Sequence, residues 1–208
     1  IKEVKSFGVN SYWISFDYRK NKKFQYLKTA FRLFKIFRKL KPDVVHTNLF
    51  DDSLPGLLAA KWAGVKKRMI TKQDTMYHYL FAKKGMKFDK LNNKNATHIV
   101  AVSKESMEFI LDIEKGDKNK ISVIHHGVDE AEFTRATGEE KIFIQKKFNP
   151  ENKILIGTVS RLVESKGYKY MIGAMEIIMK KRKDIIFVAA GGGPHHDRLQ
   201  KLINEKKL

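Results

Sequence analysis

Six short apolar runs, set apart by stretches of helical period, constrain this chain more than any other feature. They fall at residues 43–48, 68–71, 98–102, 121–124, 154–156 and 185–190. A strand that is followed by a helix cannot fold back as a hairpin. The crossover carries the helix, and neighbouring strands run parallel. The pattern predicts an α/β fold of doubly wound parallel sheets. A weaker alternation at 11–15 predicts one further strand. Asp51, Asp52 and Ser53 are candidate caps for a helix that Gly64 stops, and Ser103 caps another that runs to Leu111. Gly85 interrupts a long helical stretch after the second run, and Lys72, Gln73 and Asp74 lie beyond that run's carboxyl end.

Between Val128 and Pro150 the chain turns polar, with one helical piece near 140–148. A domain boundary is expected there. Residues 1–135 form a first domain lacking its opening strand, and residues 136–208 the first part of a second. At 208 residues and 42% hydrophobic content, two cores are within reach. The chain opens on Ile1 rather than methionine and closes on a charged helical tail, so it is expected to be a fragment.

The stretch from Ile154 to Tyr168 reads ILIGTVSRLVESKGY. It joins an apolar strand of buried character, a glycine that permits close backbone approach, and two cations, Arg161 and Lys166, ahead of a helix. A loop beyond a strand's carboxyl end is where open α/β sheets bind ligands, and helix starts favour anions. Two fixed cations suit a diphosphate, although two solvated surface cations would read the same way. A second strand ends in Gly191-Gly192-Gly193-Pro194 before a polar helix start, again without Walker or dinucleotide spacing.

Net charge is +19, and residues 19–41 hold ten cations and no acid. On a helical wheel Lys28, Arg32, Lys35 and Lys39 share one arc, opposite Phe24, Leu27, Phe31, Phe34, Phe37 and Leu40. The apolar face is expected to pack on a sheet. The basic face suits solvent or an anionic bilayer, at about 1 kcal/mol per cation. No nucleic-acid motif accompanies the charge, so no nucleic-acid partner is expected. Cysteine is absent, and no apolar run approaches a membrane span. The seven histidines include no His-x-x-x-His pair, so neither a metal site nor a cofactor is implied. His46, at a strand's carboxyl end, fits a site residue or a structural one equally.

The run SRLVESKGYKYMIGA, followed by a strand and GGGP, resembles the donor-binding half of family 4 glycosyltransferases, which have the GT-B fold of two Rossmann-like domains. The family's usual Gly-Arg is Ser160-Arg161 here. DVVHTN, THIVAVS and VIHHGVD in the first half resemble the family's acceptor-side strands and interdomain motif, with His126-Gly127 where Asn-Gly is usual. TKQDTMYH resembles a segment that often carries a histidine near the reacting centre. Gln73 stands at that place, with His78 five residues on.

The resemblance implies a hexosyltransferase-type, retaining glycosyltransferase with two GT-B domains, both incomplete in this chain. It implies a UDP- or GDP-sugar donor held by Gly157, Ser160, Arg161, Lys166, Gly191, Gly192 and Gly193, with Arg161 and Lys166 also catalytic. His46, Lys72, Gln73 and His78 would lie on the side of a lipid-linked, polysaccharide or other glycan acceptor. The family's donor-site Glu-x7-Glu pair is matched in spacing only by Glu132 and Glu140, which precede Arg161, so that pair is expected past Leu208. The expected location is cytoplasmic, with peripheral attachment to the inner face of a membrane. A nucleotide-sugar-binding relative without transfer activity, or one that is epimerase-like, is the alternative. A polyanion binder is a more distant one.

Overall fold

The computed structural model describes residues 6–16, 21–73, 76–132 and 134–208. The chain divides into two compact units, Ile1–Gly127 and Val128–Leu208. Arg19, Lys20, Asp74 and Phe133 lie outside the described residues.

In the first unit, helix α1 (Lys22–Leu40) is capped by Asn21, whose Oδ1 accepts the Lys23 N–H at 3.0 Å. Lys41 ends it in the left-handed conformation, and Pro42 follows. Strand β1 (Val44–Thr47) leads to α2 (Phe50–Trp62), and β2 (Lys67–Lys72) leads to α3 (Met76–Phe81). A 3₁₀ turn (Lys83–Gly85) and α4 (Met86–Asn95) precede β3 (His98–Ala101), α5 (Lys104–Asp112) and β4 (Ile121–Val123). The sheet order is β1-β2-β3-β4, parallel throughout, with Val45 opposite Arg68, Ile70 opposite Ile99 and Val100 opposite Ser122. Leu57, Ile70, Ile99, Ala101 and Ile110 form its core. Of the expected caps, Ser103 accepts from Ser106 N–H at 3.1 Å. Asp52 acts from inside α2, taking the Leu49 N–H at 2.8 Å.

Three expectations are corrected here. Residues 11–15 form no strand. Their weak alternation offers no apolar face to fix a register, and among the described residues β1 is bonded to β2 alone. The apolar face of α1 packs mainly on helix α2, meeting the sheet only through Phe37 near Val45 among the described residues, and only part of it is covered. Ala30 is buried and Phe37 reaches the Val45–Ala60–Val65 cluster, whereas Phe24, Leu27 and Phe31 are more than half exposed. The helix turns too many apolar residues outward for one neighbour to cover. Finally, the strand at Ile154 is not buried.

That strand, β5 (Ile154–Val159), belongs to the second unit, after α6 (Gly138–Phe148). A 3₁₀ turn (Glu164–Lys166), α7 (Tyr168–Lys181), β6 (Ile185–Ala190) and α8 (His196–Glu205) complete it. β5 and β6 pair in parallel, with Ile154 opposite Ile185 and Val159 opposite Ala190. Each strand is an edge in a two-stranded sheet, and this small sheet leaves Ile154, Leu155 and Ile156 incompletely covered while Ile185 is buried. Burial concentrates on Leu162, Tyr168, Ile172, Met175 and Ile185.

Candidate functional site

The loops after β5 and β6 leave the same, carboxyl, edge of their sheet and continue its ladder. Ser160 N–H donates to the Ala190 carbonyl at 3.1 Å, and Leu162 N–H to the Gly192 carbonyl at 2.9 Å. This pairing explains two of the three glycines. A Cβ on Gly191 would lie 1.9 Å from the Ser160 carbonyl oxygen, and one on Gly193 would lie 2.5 Å from that of Leu162. Gly192 and Gly157 meet nothing within 4 Å, so their lack of a side chain leaves open space there. The Ser160 hydroxyl is engaged inside the protein, 2.9 Å from the buried Tyr168 hydroxyl. Tyr168 also donates to the Ser160 carbonyl at 3.2 Å.

Arg161 and Lys166 are exposed, and neither pairs with any described group. Arg161 sits between the two ladder-bonded residues. Lys166 closes the 3₁₀ turn, one residue before Gly167 adopts the left-handed conformation (φ 69°) that starts α7. Nearby cations are spent differently. Glu164 takes Lys169 at 3.2 Å and Arg198 at 3.0 Å, with His195 Nδ1 at 3.6 Å. The hydrogen bond from Lys169, then its charge and those of Arg198 and His195, hold the Glu164 carboxyl below the usual carboxylate range. The four residues line a cavity of about 340 Å³ that neither Arg161 nor Lys166 borders. Sequence reasoning passed over this clamp because its members are scattered over three elements.

In the first unit, His46 Nε2 lies 2.8 Å from Thr71 Oγ1, joining the ends of β1 and β2. Gln73 is exposed just beyond β2. Lys72 and His78 are brought into one buried network. Lys72 Nζ lies 2.9 Å from Glu114 Oε2 and 3.5 Å from Asp89 Oδ1, and His78 Nδ1 lies 2.6 Å from Asp89 Oδ2. Asn93 Nδ2 donates to Glu114 Oε2 at 2.7 Å. Lys72 is only 5% exposed, so its ammonium is enclosed by this network rather than open to solvent. Gly85 lets the His78 ring close in, since a Cβ there would approach the ring to 2.4 Å. Asp89, Asn92 and Asn93 escaped sequence reasoning, although their i, i+3, i+4 spacing marks a polar inner face of α4.

Two parallel-sheet units whose loops open at the carboxyl edges define an α/β protein of the GT-B class. The solved structure of Anabaena HepE in complex with UDP and glucose superposes with a TM-score of 0.73 at 17% identity, covering 86% of this chain and 48% of that one. The Glycosyltransferase Family 4 model matches residues 9–132, and the Glycosyl transferases group 1 model matches residues 139–208. The chain belongs to glycosyltransferase family 4. It is 33% identical to an uncharacterized glycosyltransferase of Methanocaldococcus jannaschii over 82% of this chain and 45% of that protein. It is 29% identical, over 80% of this chain and 45% of that protein, to the UDP-Gal:alpha-D-GlcNAc-diphosphoundecaprenol alpha-1,3-galactosyltransferase of Escherichia coli. The chain thus spans about half the length of the curated relatives it matches.

Proposed function

We propose that the chain is the acceptor-side unit and part of the donor-side unit of a retaining hexosyltransferase. The donor is a nucleotide-sugar, a UDP-sugar first among them, and the acceptor is a lipid-linked or polysaccharide glycan. The observation that carries the reading is the pair of exposed, unpartnered cations beyond β5. Arg161 stands on a loop pinned to Gly192, and Lys166 at the mouth of α7. When the glycosidic bond of the donor breaks, the leaving nucleoside diphosphate gains negative charge. Cations already fixed against it stabilise the transition state more than the ground state. Arginine grips two phosphate oxygens, and lysine serves as a point charge.

Calorimetry with UDP and GDP tests this. Arg161→Ala and Lys166→Ala are each expected to weaken binding by roughly 1.5 to 3 kcal/mol, the range for hydrogen bonds to charged groups. In a protein of its relatives' full length, turnover should fall further than affinity. Unchanged affinity in both variants would return the loop to an ordinary basic surface.

A second reading concerns location, and α1 favours it. Phe24, Leu27 and Phe31, expected opposite the cations, are exposed, and Phe31 is flanked by the cationic arc, with Lys35 Nζ 4.8 Å above its ring. Aromatic and cationic side chains sharing one solvent-facing side of a helix suit the plane of an anionic bilayer. Among the described residues, no helix is long and apolar enough to cross a membrane. The reading is peripheral attachment at a cytoplasmic membrane face, where a lipid-linked acceptor would lie.

A further inference from the structure

A cavity of about 560 Å³ opens in the first unit, between the start of α1, the start of α2 and the turn from α3 into α4. It lies beyond the carboxyl ends of β1 and β2, where parallel sheets place their ligands. Its wall carries four lysines, Lys23, Lys83, Lys84 and Lys87, none of which pairs with a carboxylate among the described residues. Lys87 instead sits 5.3 Å over the ring of Phe88, itself part of the wall. The two carboxylates there are already engaged. Asp51 accepts the Tyr26 hydroxyl at 2.7 Å, and Asp89 is held by His78 and Lys72. The cavity therefore presents unbalanced positive charge.

Asn92 supplies the second observation. It lines the cavity and is 2% exposed, yet its Oδ1 has no hydrogen-bond partner among the described residues. A buried acceptor left unpaired costs about 1 to 3 kcal/mol, and a ligand hydroxyl would recover that. His78 and Asp89, 2.6 Å apart, stand on the same wall. A ligand satisfying this lining carries a phosphate for the lysines and a hydroxyl for Asn92.

The geometry points to this cavity as the seat of a glycosyl phosphate, the phosphate-bearing sugar head of the acceptor. The assignment rests on the transferase reading above and adds the acceptor's chemistry to it. Lys83, Lys84 and Lys87 hold the phosphate, and Asn92 receives a sugar hydroxyl. The His78–Asp89 pair is placed to orient the sugar. The same chemistry is offered by a free sugar phosphate and by the head of a lipid-linked sugar, and Leu54, Ala82 and Phe88 give the second an apolar wall to run along.

The test is a titration of the 208-residue chain followed by backbone amide NMR, with four probes: glucose 1-phosphate, methyl glucoside, inorganic phosphate and a geranyl diphosphate ester of glucose. Glucose 1-phosphate is expected to shift amides across residues 82–92 and to bind more tightly than methyl glucoside or phosphate. Tighter binding of the geranyl ester assigns the cavity to a lipid-linked head, and equal binding to a free sugar phosphate. The double variant Lys84→Gln/Lys87→Gln should bind about tenfold more weakly. Asn92→Leu should erase the preference over inorganic phosphate while leaving the melting temperature unchanged or raised, since it removes an unpaired buried acceptor. Phosphate binding as well as glucose 1-phosphate, or no response at 82–92, would overturn the assignment. UDP is titrated in parallel. A UDP response at residues 160–167 with silence at 82–92 sinks this inference alone, and the reverse sinks the donor reading, leaving the cavity a sugar-phosphate site without its role as acceptor seat.

Discussion

Gly191 and Gly192 are adjacent and chemically identical, yet the structure treats them differently. At Gly191 a methyl group would drive into the Ser160 carbonyl on a backbone with φ of 155°, a conformation side chains rarely adopt. At Gly192 a methyl group would meet nothing within 4 Å. Gly191→Ala should therefore destabilise the second unit by roughly 2 to 4 kcal/mol, combining backbone strain with overpacking. Gly192→Ala should stay within about 0.5 kcal/mol of the parent protein. Urea unfolding of the two variants checks this, and equal losses would mean that the ladder between the loops does not hold in solution. The sequence signals three glycines in a row. It carries nothing about which one faces another backbone, because that depends on the register of β5 against β6.

Helix α1 and the Glu164 clamp carry the expectations at the scale of elements. If α1 attaches to a membrane, cosedimentation with vesicles containing anionic lipid should drop steeply when Lys28, Arg32, Lys35 and Lys39 become glutamine. At about 1 kcal/mol per cation the combined loss exceeds a hundredfold. Equal binding to neutral vesicles would remove the electrostatic part of that reading. The clamp responds to acid. Hydrogen bonding from Lys169, with the charges of Lys169, Arg198 and His195, depresses the Glu164 pKa in the folded protein. Its stabilisation is then fully present above the ordinary carboxylate pKa, and it fades as pH falls through the lower, folded value. Thermal melting followed from pH 7 into the acid range should show a smaller loss in Glu164→Gln than in the parent protein. Parallel curves would mean that the clamp does not tie the turn to α8.

Across the whole molecule, the alternation of apolar runs with helical stretches was enough to read two parallel sheets, and each of the six runs became a strand. Periodicity works there because a parallel strand's neighbours are set by the crossover helices. It fails where burial depends on a neighbour the local sequence does not name. Residues 11–15 alternate but pair with no strand among the described residues, and Ile154–Val159 is apolar but belongs to a two-stranded sheet. For the candidate sites the limits are similar. Arg161 and Lys166 stood out because they flank a strand end and a helix start. Asp89 and Glu114, 25 residues apart, meet on the buried Lys72, and no local spacing announces a pair assembled by a third residue.

The ladder that runs past β5 gives Arg161 its direction. The chain bends at Ser160 and Leu162 while the N–H groups of both stay bonded to the strand opposite and the loop after it. Leu162 is buried and Ser160 is tied to Tyr168, so the residue between them is turned outward. A greasy anchor and a hydroxyl thus aim a charge that neither of them touches. Changes in length are therefore less forgivable here than changes in letter. One residue added between Val159 and Leu162 would shift the register of these bonds and displace the leucine from its buried place, whereas an exchange at position 161 would leave the scaffold intact and cost only the charge.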